Sequence, residues 1–378
     1  MGSEAAAAPG GHRKLSLALV IVAGVLAVLA IFSIWANRQA LNTDNWVHTS
    51  DRLLRDKQVE ERLSAYLAAQ LFAHVDVKAE LEKQLPSRLT PLAGPAAAGL
   101  DEVAPAIAER ALANPEVQGL WSDANRAAHE TLLKLLDGGG EAISTEGGEV
   151  TLDLNAVLKK VAAQLGVGEG LVEKVPPEAG RLRILRSDQL STAQSVAKLI
   201  RTLPVVLTAL VLLLLVAAIW LAGPRRREAL RSAGLALAIA GAVVLTLRSV
   251  AGHALVDSLV AVEANKPAVE AVWSIGTSLL VTVATSALAF GILVFLAAWL
   301  AGPTRLATGL REAAAPYLRE QPVAVAIAAF LLWVALIAWV PIAAFGKPLG
   351  VLVFALLFAA GAALLRRRTL AEFPALAE

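Results

Sequence analysis

Cysteine is absent from all 378 residues. That single absence removes disulfides, thiolate nucleophiles and cysteine-bearing zinc sites. Histidine is scarce, at positions 12, 48, 74, 129 and 253, and no two of these sit at a metal-ligand spacing. The chain has neither a Walker-type phosphate loop nor a Gly-x-Ser-x-Gly nucleophile elbow. No cofactor or metal is therefore implied, and the missing motifs point away from an enzyme. Charge of neither sign dominates either: the formal net charge is +2, which gives no reason to invoke nucleic acid. What is abundant is apolar surface. Hydrophobic residues make up 57% of the chain, and the mean hydropathy of +0.62 is too high for an ordinary soluble protein.

The apolar residues are not spread evenly. Residues 1–14 are small and polar at first, read as a disordered cytoplasmic N-terminus, and end in Arg13 and Lys14. Residues 15–36 are continuously apolar. They are longer than the apolar core of a signal peptide and long enough to span about 30 Å of hydrocarbon, as an uncleaved signal anchor does. Residues 37–203 form a hydrophilic insertion with mostly helical periodicity. Asp56 to Phe72 places Val59, Leu63, Tyr66, Leu67 and Leu71 on one face. Asn114-Pro115-Glu116 starts a helix with a capping side chain, proline at the first position and an acid near the positive dipole end. Glu141 to Leu154 reads as two short strands about a glycine turn, Asn155 to Leu165 as a helix, and Arg181 to Arg186 as a third strand. The expected fold is an α-helical polytopic membrane protein with six transmembrane helices and a mainly helical α+β extracytoplasmic domain.

Five more spans are expected within 204–365, at about 204–222, 233–251, 273–301, 323–345 and 349–365, followed by a cytoplasmic tail, 366–378. Basic residues in short loops set the orientation. One side holds Arg13, Lys14, Arg225, Arg226, Arg227 and Arg231. It also holds Arg305, Arg311, Arg319, Arg366, Arg367 and Arg368. The other side holds Lys266 and Lys347, with Arg248 at a border. This asymmetry makes the first side cytoplasmic, puts both termini inside and residues 37–203 outside a plasma membrane. Trp35, Trp220, Trp273, Trp299 and Trp339 fall near span ends, where an indole prefers the headgroup layer. WLAGPRR from Trp220 and WLAGPTR from Trp299 echo one another. They are either traces of a duplicated hairpin or two uses of one way to stop a helix at an interface.

Four constellations are candidates for function or packing. Ser274, Ser278, Thr282 and Ser286 recur every fourth residue, a polar stripe along span four that is either a solute path or a packing face. Arg248, His253 and Asp257 follow the apolar run of span three, where an ionisable group is a functional candidate unless it snorkels to the interface. Trp121, Asn125 and His129 share one face of the helix after Pro115, suited either to recognition or proton sensing or to a helix–helix contact. Pro204 is a candidate hinge. An amphipathic stalk, 188–203, with Leu190, Ala193, Ala197 and Ile200 in one stripe, leads into it without a flexible linker.

Four segments, WANRQALNTDNWVHTSDRLLRDKQVEERLS, VQGLWSDANRAAHETLLKLLDG, VTLDLNAVLKKVAAQLGV and LRILRSDQLSTAQ, carry a family resemblance. In them the chain resembles an uncharacterised group of actinobacterial multi-spanning integral membrane proteins, over most of residues 15–250. The resemblance implies an extracytoplasmic domain between spans one and two, and no activity. The function expected is that of a non-enzymatic cell-envelope protein, seated in the lipid bilayer, whose residues 37–203 bind or position a protein or other envelope partner. The alternatives are a small-solute or ion transporter formed by spans two to six, and a sensor coupling the outer domain through span two to a partner.

Overall fold

The computed structural model describes residues 9–137, 143–144, 149–153, 181–259, 263–339 and 348–373. The expected helix at Asn155–Leu165 and the residues before Pro9 lie outside the described residues. Two compact units emerge: Met1–Ala36 with Thr202–Val250 and Ser278–Glu378, and Asn37–Arg201 with Ala251–Thr277.

The first unit is apolar. It draws on α1 (Pro9–Ala40), α7 (Ser187–Leu221), α8 (Arg226–Leu259), α10 (Ser278–Leu300), α11 (Arg305–Glu320), α12 (Pro322–Trp339) and α13 (Pro348–Glu372). Its core joins Ala27 and Ile31 of α1, Val211 of α7, Ala240 and Val244 of α8, and Leu280 and Ala284 of α10. Small residues dominate this core because the helix backbones nearly touch. A Cβ added to Gly241 would lie 2.5 Å from the Ala284 carbonyl oxygen, and one added to Gly291 would lie 2.6 Å from that of Gly234. Helices associating in lipid gain no hydrophobic drive from one another, so close backbone approach supplies the contact.

Among the described residues, four helical segments are long and apolar enough to cross a membrane: Arg13–Ala40, Ser191–Leu221, Gly223–Ser258 and Ser278–Leu300. A fifth is added if Arg305–Glu320 and Pro322–Ile337, bent by 119° at their break, count as one span. The chain is thus a multi-pass membrane protein, and the expectation of six spans is corrected to four or five. The expected spans missing from the four are 349–365 and, unless the bent pair counts as one, 323–345. The run read as one span at 273–301 is two helices, since Thr277 caps α9 (Lys266–Gly276) before α10 begins, and the span there shortens to Ser278–Leu300. The run at 323–345 yields a described helix of 18 residues, about 27 Å long.

The second unit is built from helices packed on helices: α2 (Thr43–Leu54) on α6 (Pro115–Leu136), α3 (Lys57–His74) and α4 (Val77–Gln84) on α5 (Ala93–Leu112), and α9 on α2 and α3. Side-chain caps from Asn42, Asp56, Asp76 and Asn114 start four of them. The α6 bounds agree with the expected start at Pro115. The strands β1 (Ile143–Ser144), β2 (Glu149–Asp153) and β3 (Arg181–Arg186) pair antiparallel in that order, with an irregularity at Val150/Thr151. At 2, 5 and 6 residues they form a ribbon rather than a layer. A mainly α+β domain needs a sheet large enough to share the core. That expectation is corrected to a helical body carrying a short ribbon.

The stalk stripe meets this body. Ala197 is buried, Gln194 Nε2 donates to the Leu135 carbonyl at 3.2 Å, and Asn37 Nδ2 donates to the Ile200 carbonyl at 3.2 Å. Arg201 pairs with Asp137. Pro204 lies inside α7, which continues to Leu221.

The two WLAGP segments fold differently. Gly223 adopts φ +53° and feeds a short 3-10 turn, Gly223–Arg225, into α8. Gly302 has no positive φ, and Thr304 is extended, its Oγ1 accepting from Ala307 N–H at 3.3 Å to start α11. The same residues stop a helix by two conformations.

Candidate functional site

The face carrying Trp121, Asn125 and His129 lies along the seam between α6 and α2. His129 is 3% exposed. Its Nε2 lies 3.2 Å from the Ala40 carbonyl, which only accepts, so Nε2 carries the hydrogen. Nδ1 lies 3.1 Å from the Thr43 hydroxyl, and the Trp46 ring stacks on the imidazole at 5.0 Å. Both ring nitrogens thus have hydrogen-bond partners. Trp121 Nε1 donates to Ser50 Oγ at 2.8 Å, whereas Asn125 turns back to the Trp121 carbonyl at 2.9 Å and joins nothing across the seam. Two residues that sequence periodicity did not single out do cross it. Ser122 donates to Asp51 Oδ1 at 2.6 Å, and Arg126 pairs with Asp44 at 2.8 Å. The hydrogen bond to Asp44 raises the Arg126 guanidinium above its ordinary value. The four pairs run antiparallel: Thr43 and Asp44 face His129 and Arg126, while Ser50 and Asp51 face Trp121 and Ser122.

The hydroxyl stripe is divided. Ser274 is an exposed residue of α9, while Ser278, Thr282 and Ser286 belong to α10. Along α10 the hydroxyls bond their own helix: Thr282 Oγ1 to the Ser278 carbonyl at 3.0 Å, Ser286 Oγ to the Thr282 carbonyl at 2.6 Å, and Thr285 to the Val281 carbonyl. Thr277 does the same to Trp273 at 2.6 Å. Hydroxyls so occupied add little polarity to a lumen.

Arg248, His253 and Asp257 all lie on α8. His253 and Asp257 are exposed and one turn apart. Arg248 precedes Asp257 by about 13 Å along the axis, on the opposite side of the helix.

A charged pair escaped sequence reading altogether. Arg311, counted there as a loop cation, is 2% exposed. Its Nε and Nη2 donate to the two oxygens of Glu372, each at 2.9 Å, and Nη1 donates to the carbonyls of Gly302, at 2.7 Å, and Leu300. Arg227 Nη1 adds a bond to the Ala301 carbonyl at 3.0 Å. Three carbonyls left open where α10 ends are thus met by guanidinium groups from α8 and α11, one of which is anchored to α13. No sequence signal links positions 311 and 372.

Two helices of the second unit leave apolar stripes open. On α3, Ser64 and Ala68 are the buried residues, so Tyr66, Leu67 and Leu71 are turned outward, contrary to the face expected from periodicity. On α5, Leu100, Val103 and Ile107 form an i, i+3, i+7 stripe that is likewise exposed. Apolar stripes exposed on a body otherwise rich in charge are candidates for an interaction surface. This surface is the candidate functional site. Among the described residues, no group of three or more His, Cys, Asp or Glu is arranged to hold a metal. Compared with protein families, curated proteins and solved structures, the chain has no significant match in any of the three.

Proposed function

We propose that this multi-pass membrane protein is a non-enzymatic component of a cell envelope whose residues 37–203 bind or position a partner protein on the outer side of the plasma membrane. The observation that carries the reading is the pair of open apolar stripes, Leu67 and Leu71 on α3 and Leu100, Val103 and Ile107 on α5. The orientation, with both termini in the cytoplasm, rests on the basic residues at the membrane ends, from Arg13 and Lys14 to Arg366, Arg367 and Arg368. The resemblance to actinobacterial proteins with an extracytoplasmic domain is consistent with this reading. Transport by the apolar helices draws less support, because the hydroxyls of Thr282 and Ser286 donate to their own helix backbone.

A photo-crosslinking amino acid placed at Tyr66 or Leu100, with Glu130 as an exposed polar control, tests the proposal in living cells. One protein species captured from positions 66 and 100 but not from 130 is the expected result. Capture of lipid alone, or equal capture from all three positions, refutes it.

A further inference from the structure

A second open site lies in the first unit, among the start of α1, the end of α7 and the start of α8. It is a cavity of about 940 Å³. Its floor is apolar and fixed: Val20 and Ala229 are buried, and the buried Ser16 donates through Oγ to the Ala218 carbonyl at 2.9 Å. Its rim carries Arg13, Arg225, Arg226 and Arg231, against one carboxylate, Glu228. Among the described residues none of these arginines makes an ion pair or a side-chain hydrogen bond. Four guanidinium groups face one acid, so the lining keeps an excess of three positive charges.

The comparison with the related turn at Trp299 gives this excess its meaning. There, Arg227 and Arg311 are spent on the carbonyls of residues 300–302. At the Trp220 turn the left-handed Gly223 sends the chain straight into α8, and the arginines that follow are left without carbonyls to cap. The start of α8 also brings the positive end of a helix dipole to the same lining. Trp220 is 71% exposed and ends an apolar helix, which sets the cavity at headgroup depth. Leu17, exposed in the same lining, extends it toward the hydrocarbon.

We propose that this cavity binds the phosphate headgroup of an anionic phospholipid. The arginine fork matches a phosphodiester with paired donors, where a lysine offers a point charge. The charge excess favours a headgroup with net negative charge over a zwitterionic one. The volume suits a glycerophosphate with the head of its acyl chains, since pockets of this size take whole organic ligands rather than a single inorganic ion.

The test uses the full chain in nanodiscs of phosphatidylglycerol and phosphatidylcholine, with lipid retained on the protein read by native mass spectrometry. Phosphatidylglycerol should be selectively retained. The triple variant Arg225→Gln, Arg226→Gln, Arg231→Gln should lower that selectivity by about a hundredfold, on the scale set by three surface cations. Removing as much charge elsewhere, by Arg366→Gln, Arg367→Gln, Arg368→Gln, should leave most of it. Circular dichroism and labelling of single introduced cysteines, in a chain that has none of its own, verify fold and insertion of each variant. A variant that fails this check is replaced by the single change Arg225→Gln, for which a measurable loss is still expected. Equal loss in both triple variants, or no selectivity in the parent, overturns the proposal. Binding of inorganic phosphate without phosphatidylglycerol selectivity also overturns it, assigning the cavity to a soluble anion.

Discussion

Replacing Arg311 with alanine tests the clamp that holds the end of α10 to α11 and α13. The change removes two charge-assisted hydrogen bonds to Glu372, each 2.9 Å, and leaves the Leu300 and Gly302 carbonyls without that donor. Breaking a buried ion pair by deleting one partner costs about 3–5 kcal/mol, because the other charge stays behind uncompensated. Here the survivor is Glu372, whose side chain is 34% exposed and regains some water. The carbonyls sit at a helix end and regain some as well, so the lower end of that range, about 3 kcal/mol, is expected. The mirror change, Glu372→Ala, strands the more deeply buried group. Arg311 keeps its carbonyl partners, and the two single variants should therefore be similarly destabilised. The double variant should be less destabilised than the sum of the two, with a coupling of at least about 1 kcal/mol. Reversible unfolding in mild detergent, followed by tryptophan fluorescence, measures all four corners of the cycle. If Arg311→Ala unfolds within about 0.5 kcal/mol of the parent, like an ordinary surface change, the clamp contributes no stability and the reasoning is wrong.

Two further outcomes are expected. Gly291→Val places a side chain against the α8 backbone, where even a Cβ lies 2.6 Å from the Gly234 carbonyl oxygen. It should cost about 3 kcal/mol or prevent assembly of the apolar unit, whereas Gly361→Val, with open space around its Cβ position, should fall within about 1 kcal/mol by the same unfolding measurement. His129→Ala opens the α2–α6 seam by removing two hydrogen bonds and the Trp46 stack. Limited proteolysis should then cut between residues 37 and 57 well before the parent is cut, with a stability loss of about 2–3 kcal/mol.

Much of the helical architecture is legible in local sequence. Asn114-Pro115 starts α6 because a capping side chain and a fixed φ act within one turn. The long apolar runs identify membrane helices because hydrocarbon accepts no unpaired backbone, a demand each segment meets by itself. Hydropathy is a sum over a window, however, and does not register the break at Thr277. It therefore fused α9, which packs on α2 and α3, with α10 into one span. Periodicity likewise located an apolar stripe on α3 but not the side on which α5 would lie, because Ser64 and Ala68, the small residues, make the closer contact.

What the sequence determined alone is the class of protein, several membrane helices with a large polar insertion, since composition and run length act residue by residue. Tertiary structure decided what the polar and charged side chains do. His129 became a seam residue, Arg311 a buried clamp, and Arg225, Arg226 and Arg231 an open rim, although all four arginines look alike in sequence. The difference arises from distance: whether a guanidinium meets a carboxylate 61 residues away or faces a cavity is set by how helices cross. No local pattern encodes that crossing.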